Sequence, residues 1–262
     1  MCLTVPIPAV SRTDGMTNKA KKKCKTEIIV SQNIRGLKSV ERIEELCASI
    51  NQRRIFAACI QETWRFGLEI LNHDNICVIG AGLNREQSCN RGSQGVGIVL
   101  SMAAVEAWKA AGSEVHNTYG ARVMAIRLQV RDTQGRDLYL FLISAYAPVG
   151  NADQSVWDEY LTNLNNCISK KQREDLLIIG SDTNASMGCS NEFNSLGNFG
   201  IRYMNESGRR FASYLTINDM VAVTTCFRKK CYGTWVNPRS TIKVNSPNRP
   251  FHHRKIETVL HI

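Results

Sequence analysis

The stretch Leu176-Leu177-Ile178-Ile179-Gly180-Ser181-Asp182-Thr183-Asn184 runs four apolar residues directly into a polar end. A run so short and so apolar reads as a buried strand, with Asp182 and Asn184 carried out of the core where the strand stops. The pattern recurs twice upstream. Residues 27–30 lead to Asn33, and residues 55–60, Ile-Phe-Ala-Ala-Cys-Ile, lead to Glu62. Strands of this kind belong to layered α/β folds, in which side chains at strand ends leave the core and converge on the site rim.

Around these three strands the rest of the chain falls into place. Val40, Ile43, Leu46, Cys47 and Ile50 recur at helical spacing through residues 41–53, and Val156, Tyr160, Leu161, Leu164 and Ile168 do so through 155–170. Residues 206–216 also read as helix. Further strands are expected at 76–79, 95–100, 121–130, 138–145, 220–225, 233–236 and 255–261. Strands outnumber helices by about two to one, so a purely parallel doubly wound sheet fits poorly. The short turn at 131–136, between two long strands, implies an antiparallel hairpin. The expected fold is therefore α/β, with two packed mixed sheets and helices on each outer face. It occupies one domain, residues 26–262, after a basic arm at 1–25 with no periodicity.

Composition narrows the function classes. The 262 residues are 43% hydrophobic and 21% charged, which is ordinary for a globular domain. The net charge of +10 is uneven: residues 1–25 carry +5, residues 228–262 carry +7, and the part between carries −2. Such basic ends point to a polyanionic partner. Ten cysteines stand singly along a chain long enough to bury its own core, so they read as reduced thiols of an intracellular protein with no disulfide-linked partner. No apolar run approaches the roughly 18 residues of a membrane span. Cys226, Cys231, His252 and His253 do not have the ligand spacing of a zinc site.

The polar strand ends carry the chemistry. A carboxylate such as Glu62 offers the hard oxygen that Mg²⁺ prefers. A strand-end Asp such as Asp182 can take a proton from water if its neighbours hold it in place. Taken singly, each is better explained as a turn or cap residue. Basic residues Arg228, Lys229, Lys230 and Arg239, interleaved with Trp235, read as a nucleic-acid contact in which cations meet phosphates and an aromatic ring stacks on a base.

In their order the motifs resemble the endonuclease/exonuclease/phosphatase superfamily, and within it the apurinic-like endonuclease domain of non-long-terminal-repeat retrotransposons. The motifs are Ser31-Gln32-Asn33-Ile34-Arg35-Gly36-Leu37, Ile60-Gln61-Glu62-Thr63-Trp64, Gly95-Val96-Gly97-Ile98, Ala121-Arg122-Val123 and Ser144-Ala145-Tyr146-Ala147-Pro148. They continue through Gly180-Ser181-Asp182-Thr183-Asn184-Ala185, Asn205-Glu206-Ser207-Gly208 and Gly233-Thr234-Trp235-Val236-Asn237-Pro238. The resemblance implies a four-layer α/β/β/α sandwich and Mg²⁺-dependent nicking of DNA, with Mn²⁺ as a substitute. Glu62 and Asn33 would serve the metal, Tyr146 would contact the phosphate, Asp182 would activate water, and Asn184 would hydrogen-bond the phosphate. It further implies a nuclear location and a reverse transcriptase domain as partner.

The resemblance also implies a closing Ser-Asp-His segment, and this chain has Ile256-Glu257-Thr258 and stops five residues after Glu257. The last strand is thus expected to be missing, with an uncovered sheet edge and impaired turnover. Two alternatives share the core motifs: a catalytically silent nucleic-acid-binding remnant, and a phosphoesterase acting on a small phosphoester.

Overall fold

The computed structural model describes residues 27–87, 94–117, 120–132, 134–189, 192–201 and 203–228, together with the backbone of Leu3–Thr4 and Glu257–His261. In chain order the elements are β1 (Leu3–Thr4), β2 (Ile28–Asn33), α1 (Val40–Gln52), β3 (Ala57–Gln61), β4 (Leu68–His73), β5 (Ile76–Ala81), β6 (Val96–Ser101) and α2 (Met102–Ala110). They continue with β7 (Val115–His116), β8 (Val123–Arg131), β9 (Asp137–Tyr146), α3 (Gln154–Ile168), β10 (Leu176–Asp182), α4 (Glu206–Ile217), β11 (Met220–Ala222) and β12 (Glu257–His261).

The strands form two six-stranded sheets, ordered β1-β2-β3-β6-β5-β4 and β11-β12-β10-β9-β8-β7. Both are mixed: β2 runs parallel to β3 and β9 to β10, while the other pairs are antiparallel. Alternation along each strand sorts its side chains between two layers. On the first sheet Val30, Ala58, Ile60, Val78 and Val99 pack under Cys47 and Ile50 of α1. On the second, Val123, Phe141, Ile143, Leu177 and Ile179 meet Trp157, Tyr160 and Leu164 of α3 and Phe211 and Leu215 of α4. The opposite set, including Ile29, Cys59, Ile79, Ile98, Met124, Leu142 and Ile178, fills the space between the sheets with Ala104, Ala107 and Trp108 of α2. The result is the expected four-layer α/β/β/α sandwich.

The hairpin expected around 131–136 joins β8 to β9. Its turn is tightened by Asp132 Oδ1, which accepts the amide protons of Gln134 and Arg136. Residues 220–225, expected as one extended run, divide into β11 and a 3₁₀ turn at Val223–Thr225. The arm expected over 1–25 contributes β1, whose Leu3 and Thr4 pair with Ile29 and Ile28. The edge of β2 is therefore paired along those two residues. The strand expected at 233–236 lies outside the described residues. Among the described residues, no helix is long and apolar enough to cross a membrane.

Candidate active site

Four strand ends meet at one side of the sandwich. The parallel register sets Asn33 beside Gln61 and Asp182 beside Tyr146. Parity turns these side chains into the space between the sheets: Asn33 follows Ile29 and Ser31, Gln61 follows Ala57 and Cys59, Tyr146 follows Leu142 and Ser144, and Asp182 follows Ile178 and Gly180. Glu62 stands one residue beyond β3.

Asn33 is the centre of the cluster and only 6% exposed. Its Nδ2 donates to Glu62 Oε1 at 2.6 Å and to Asp182 Oδ2 at 2.7 Å. The Tyr146 hydroxyl donates to the same Glu62 oxygen at 3.1 Å. The Arg35 amide donates to Asn33 Oδ1 at 3.1 Å, which holds the Asn33 amide with its nitrogen toward the carboxylates. Asn184 closes the other side: its amide donates to Asp182 Oδ1 at 3.2 Å, and its Nδ2 to the Ala147 carbonyl at 2.9 Å. Glu62 and Asn184 both have left-handed backbones, with φ of 55° and 46°. Non-glycine residues rarely accept that conformation, and such strain concentrates at functional sites.

Burial raises the Asp182 carboxyl above the ordinary carboxylate range and the nearby Glu62 charge adds to this, against the hydrogen bonds from Asn33 and the Asn184 amide and the charge of Arg35. Burial, and then the Glu62 charge, push the Tyr146 hydroxyl up to about 12, so Tyr146 is a proton donor at any physiological pH.

Beneath the cluster lies a buried polar layer. Gln61 Nε2 donates to Ser31 Oγ at 3.1 Å, to the Gly180 carbonyl at 3.2 Å and to Ser144 Oγ at 3.4 Å, and Ser144 Oγ donates to the Ile60 carbonyl at 3.1 Å. This layer ties both sheets together directly under the site. At Gly180 they come so close that a Cβ would stand 2.5 Å from Cys59 Cβ and 2.8 Å from Ser31 Cβ. The Cys59 thiol is pushed up to about 12 by burial, so it is not a nucleophile.

The structure thus brings together Asn33, Glu62, Tyr146, Asp182 and Asn184. Arg228 is exposed just after the 3₁₀ turn and makes none of these contacts. Lys229, Lys230, Trp235 and Arg239 lie outside the described residues, as do Cys231, His252 and His253. The motif Ala121-Arg122-Val123 carries a residue given no role from sequence. Arg122 Nη1 donates to the Tyr146 and Ala147 carbonyls at 3.2 and 3.3 Å, and its guanidinium lies 5.3 Å from the Tyr146 ring centre. It braces the segment that carries Tyr146 from behind. Only its place in the motif signals this, because its partners are backbone oxygens more than twenty residues away.

Among the described residues, no three His, Cys, Asp or Glu side chains form a metal-binding group. The chemistry of the donor set still suits Mg²⁺, which takes one or two carboxylates and completes its shell with water and substrate oxygens. Glu62 and Asp182 supply those oxygens. Asn33 offers them its nitrogen, so in this arrangement it orients the two carboxylates.

The architecture is that of the endonuclease/exonuclease/phosphatase fold. Solved structures with this fold include the APE2 catalytic domain of Xenopus laevis, with 13% identity, 88% of this chain and 81% of that one covered, and a TM-score of 0.56. An AP endonuclease from Archaeoglobus fulgidus is 14% identical, covers 89% and 86%, and scores 0.53. A 3′ phosphatase, NExo, from Neisseria, solved with product DNA hairpin, is 13% identical, covers 88% and 85%, and scores 0.54. In sequence, the chain is 25% identical over 236 residues to craniofacial development protein 2 of Tragulus javanicus, matching 88% of this chain and 38% of that protein. The chain therefore spans less than half the length of that curated relative. No family model matches the sequence.

Proposed function

We propose that this chain hydrolyses phosphodiester bonds of DNA, and more narrowly that it nicks DNA as retrotransposon endonucleases do, leaving a 3′-hydroxyl for a reverse transcriptase. The observation that carries the reading is the single amide of Asn33 holding Glu62 and Asp182 together at the mouth between the two sheets. Two carboxylates bridged by one amide at such a mouth serve no packing purpose, and their mutual repulsion destabilises the fold.

In this reading Asp182 accepts the proton of the attacking water, helped by the burial that raises its proton affinity. Asn33 and the Asn184 amide fix the orientation of that carboxylate, so the water is aimed before reaction. Tyr146 keeps its proton and can donate a hydrogen bond to a phosphate oxygen once substrate competes for Glu62. The Asn184 side chain is close enough to do the same. A divalent cation held by Glu62, Mg²⁺ or Mn²⁺, would neutralise charge on the phosphate and on the leaving oxygen.

The test is nicking of supercoiled plasmid with Mg²⁺. Asp182→Ala is expected to reduce it by roughly 10²- to 10⁴-fold, and nicking that survives the substitution removes Asp182 as the base. The Ser-Asp-His segment implied by the resemblance does not occur within these 262 residues. A second reading, favoured by the basic surplus of the terminal segments, is salt-sensitive DNA binding without scission. Turnover of a small phosphoester in place of plasmid would support the phosphoesterase alternative.

A further inference from the structure

We infer that the Arg35 guanidinium grips the non-bridging oxygens of the substrate phosphate at the Asn33–Glu62–Asp182 cluster, an inference that rests on the phosphodiesterase reading above. The turn after β2 holds Arg35 against the site from both sides: its own amide bonds Asn33 Oδ1 at 3.1 Å, and the next amide, of Gly36, bonds the Glu62 carbonyl at 2.7 Å. To make both bonds the turn takes Arg35 to a φ of 52°. The backbone of Arg35 is thereby fixed beside the Asn33 side chain and the Glu62 backbone, while its own side chain is exposed.

Among the described residues the Arg35 guanidinium has neither a hydrogen bond nor an ion pair. Arg42 and Arg65, in the same region, are each tied to a carboxylate and a carbonyl. Its charge nevertheless reaches Asp182, which it helps to keep ionised.

Physical need and geometry coincide here. A phosphodiester approaching two carboxylates meets like charge, and a cation beside them offsets that repulsion. A guanidinium presents parallel N–H donors at the spacing of two phosphate oxygens, which an ammonium cannot do. Charge on those oxygens grows as water attacks, so the contact strengthens toward the transition state.

The left-handed backbone decides which variants are informative. Arg35→Gly removes the side chain and suits the turn, and Arg35→Asn is a second neutral variant that tolerates the same φ. Binding of a short DNA duplex is measured across a salt series, in Asp182→Asn protein with Mg²⁺ present, so that no cleavage intervenes. Both variants are expected to bind roughly tenfold more weakly and to lower the slope of log affinity against log salt by about 0.9, the loss of one phosphate contact. Arg35→Lys should keep the slope and recover only part of the affinity. Arg173→Ala, far from the site, should change neither.

Unchanged affinity and slope in both neutral variants overturn the inference. Should the parent bind no duplex at low salt, the DNA reading fails on its own, and Arg35 is then judged on inorganic phosphate. Weaker phosphate binding in Arg35→Gly upholds it, and equal or absent binding by parent and variant overturns it.

Discussion

Each proton of the Asn33 amide faces a different carboxylate, so the Glu62–Asp182 pair is held by a group that itself carries no charge. Such a pair lowers stability when both members are ionised, and Asp182 shows the sign. Its folded pKa lies above the ordinary value because of burial. The stability it contributes is therefore fully present below the unfolded carboxylate pKa and is lost as pH rises through the folded one. Asp182→Asn removes this loss. Its melting temperature is expected to exceed that of the parent near neutral pH, with the gap closing toward about pH 4; a lower value at neutral pH would show that the lost hydrogen bonds outweigh the relieved charge. At this scale the sequence was partly legible. Asn33, Glu62, Asp182 and Asn184 stand out because they end apolar runs, but which atom faces which depends on register between strands up to 149 residues apart. For that reason the bridging of Glu62 and Asp182 by Asn33 is not visible in the sequence.

Elements were legible where their apolar faces are buried and obscure where they are not. The strands β3 and β10, which end at the site, were readable because β3 is buried along its whole length and β10 at all but its two terminal residues. Strand β4 was missed: it is an edge strand whose Leu68 and Ile70 face solvent, so its alternation does not mark a core face. Helix α2 was also missed, because its buried face is built from Ala104 and Ala107 with Trp108, side chains mostly too small to signal periodicity. Helix α4 shows how an element supports the site from a distance. Its N-cap Asn205 accepts the Gly208 amide at 2.8 Å and, with the same oxygen, the Ser186 amide at 3.1 Å. One side chain thus starts the helix and anchors the loop two residues after Asn184. Asn205→Ala is expected to cost about 1–2 kcal/mol in chemical denaturation, and to lower the nicking rate more than Ser39→Ala, which uncaps α1 without touching the site loop.

The whole molecule is two sheets pinned face to face beneath the cluster by the Gln61 layer. Gly180 is a point of close approach in that contact, and nothing in the sequence distinguishes it from a glycine that ends a strand. Its place inside β10 and against Cys59 is a property of the assembled sandwich. Gly180→Ala is expected to force the sheets apart there, destabilising the fold by about 1–3 kcal/mol as read from the denaturation midpoint. It should also impair nicking, because Asp182 is two residues farther along. The overall charge of +10 was plain from composition, yet the described body is the slightly acidic part, with the basic surplus concentrated in the terminal segments.

The site directions of Asn33, Tyr146 and Asp182 all derive from counting in twos along a strand. Losing a single residue inside β2, β9 or β10 would turn the terminal side chain from the inner space toward the helix layer, with the same effect as deleting it. Such a gene can exchange letters at some positions of these strands but cannot drop a codon. Length changes would be tolerated at the tip of the β8–β9 hairpin, at residues 134–136, where the chain is exposed and no count downstream has to be kept across the turn.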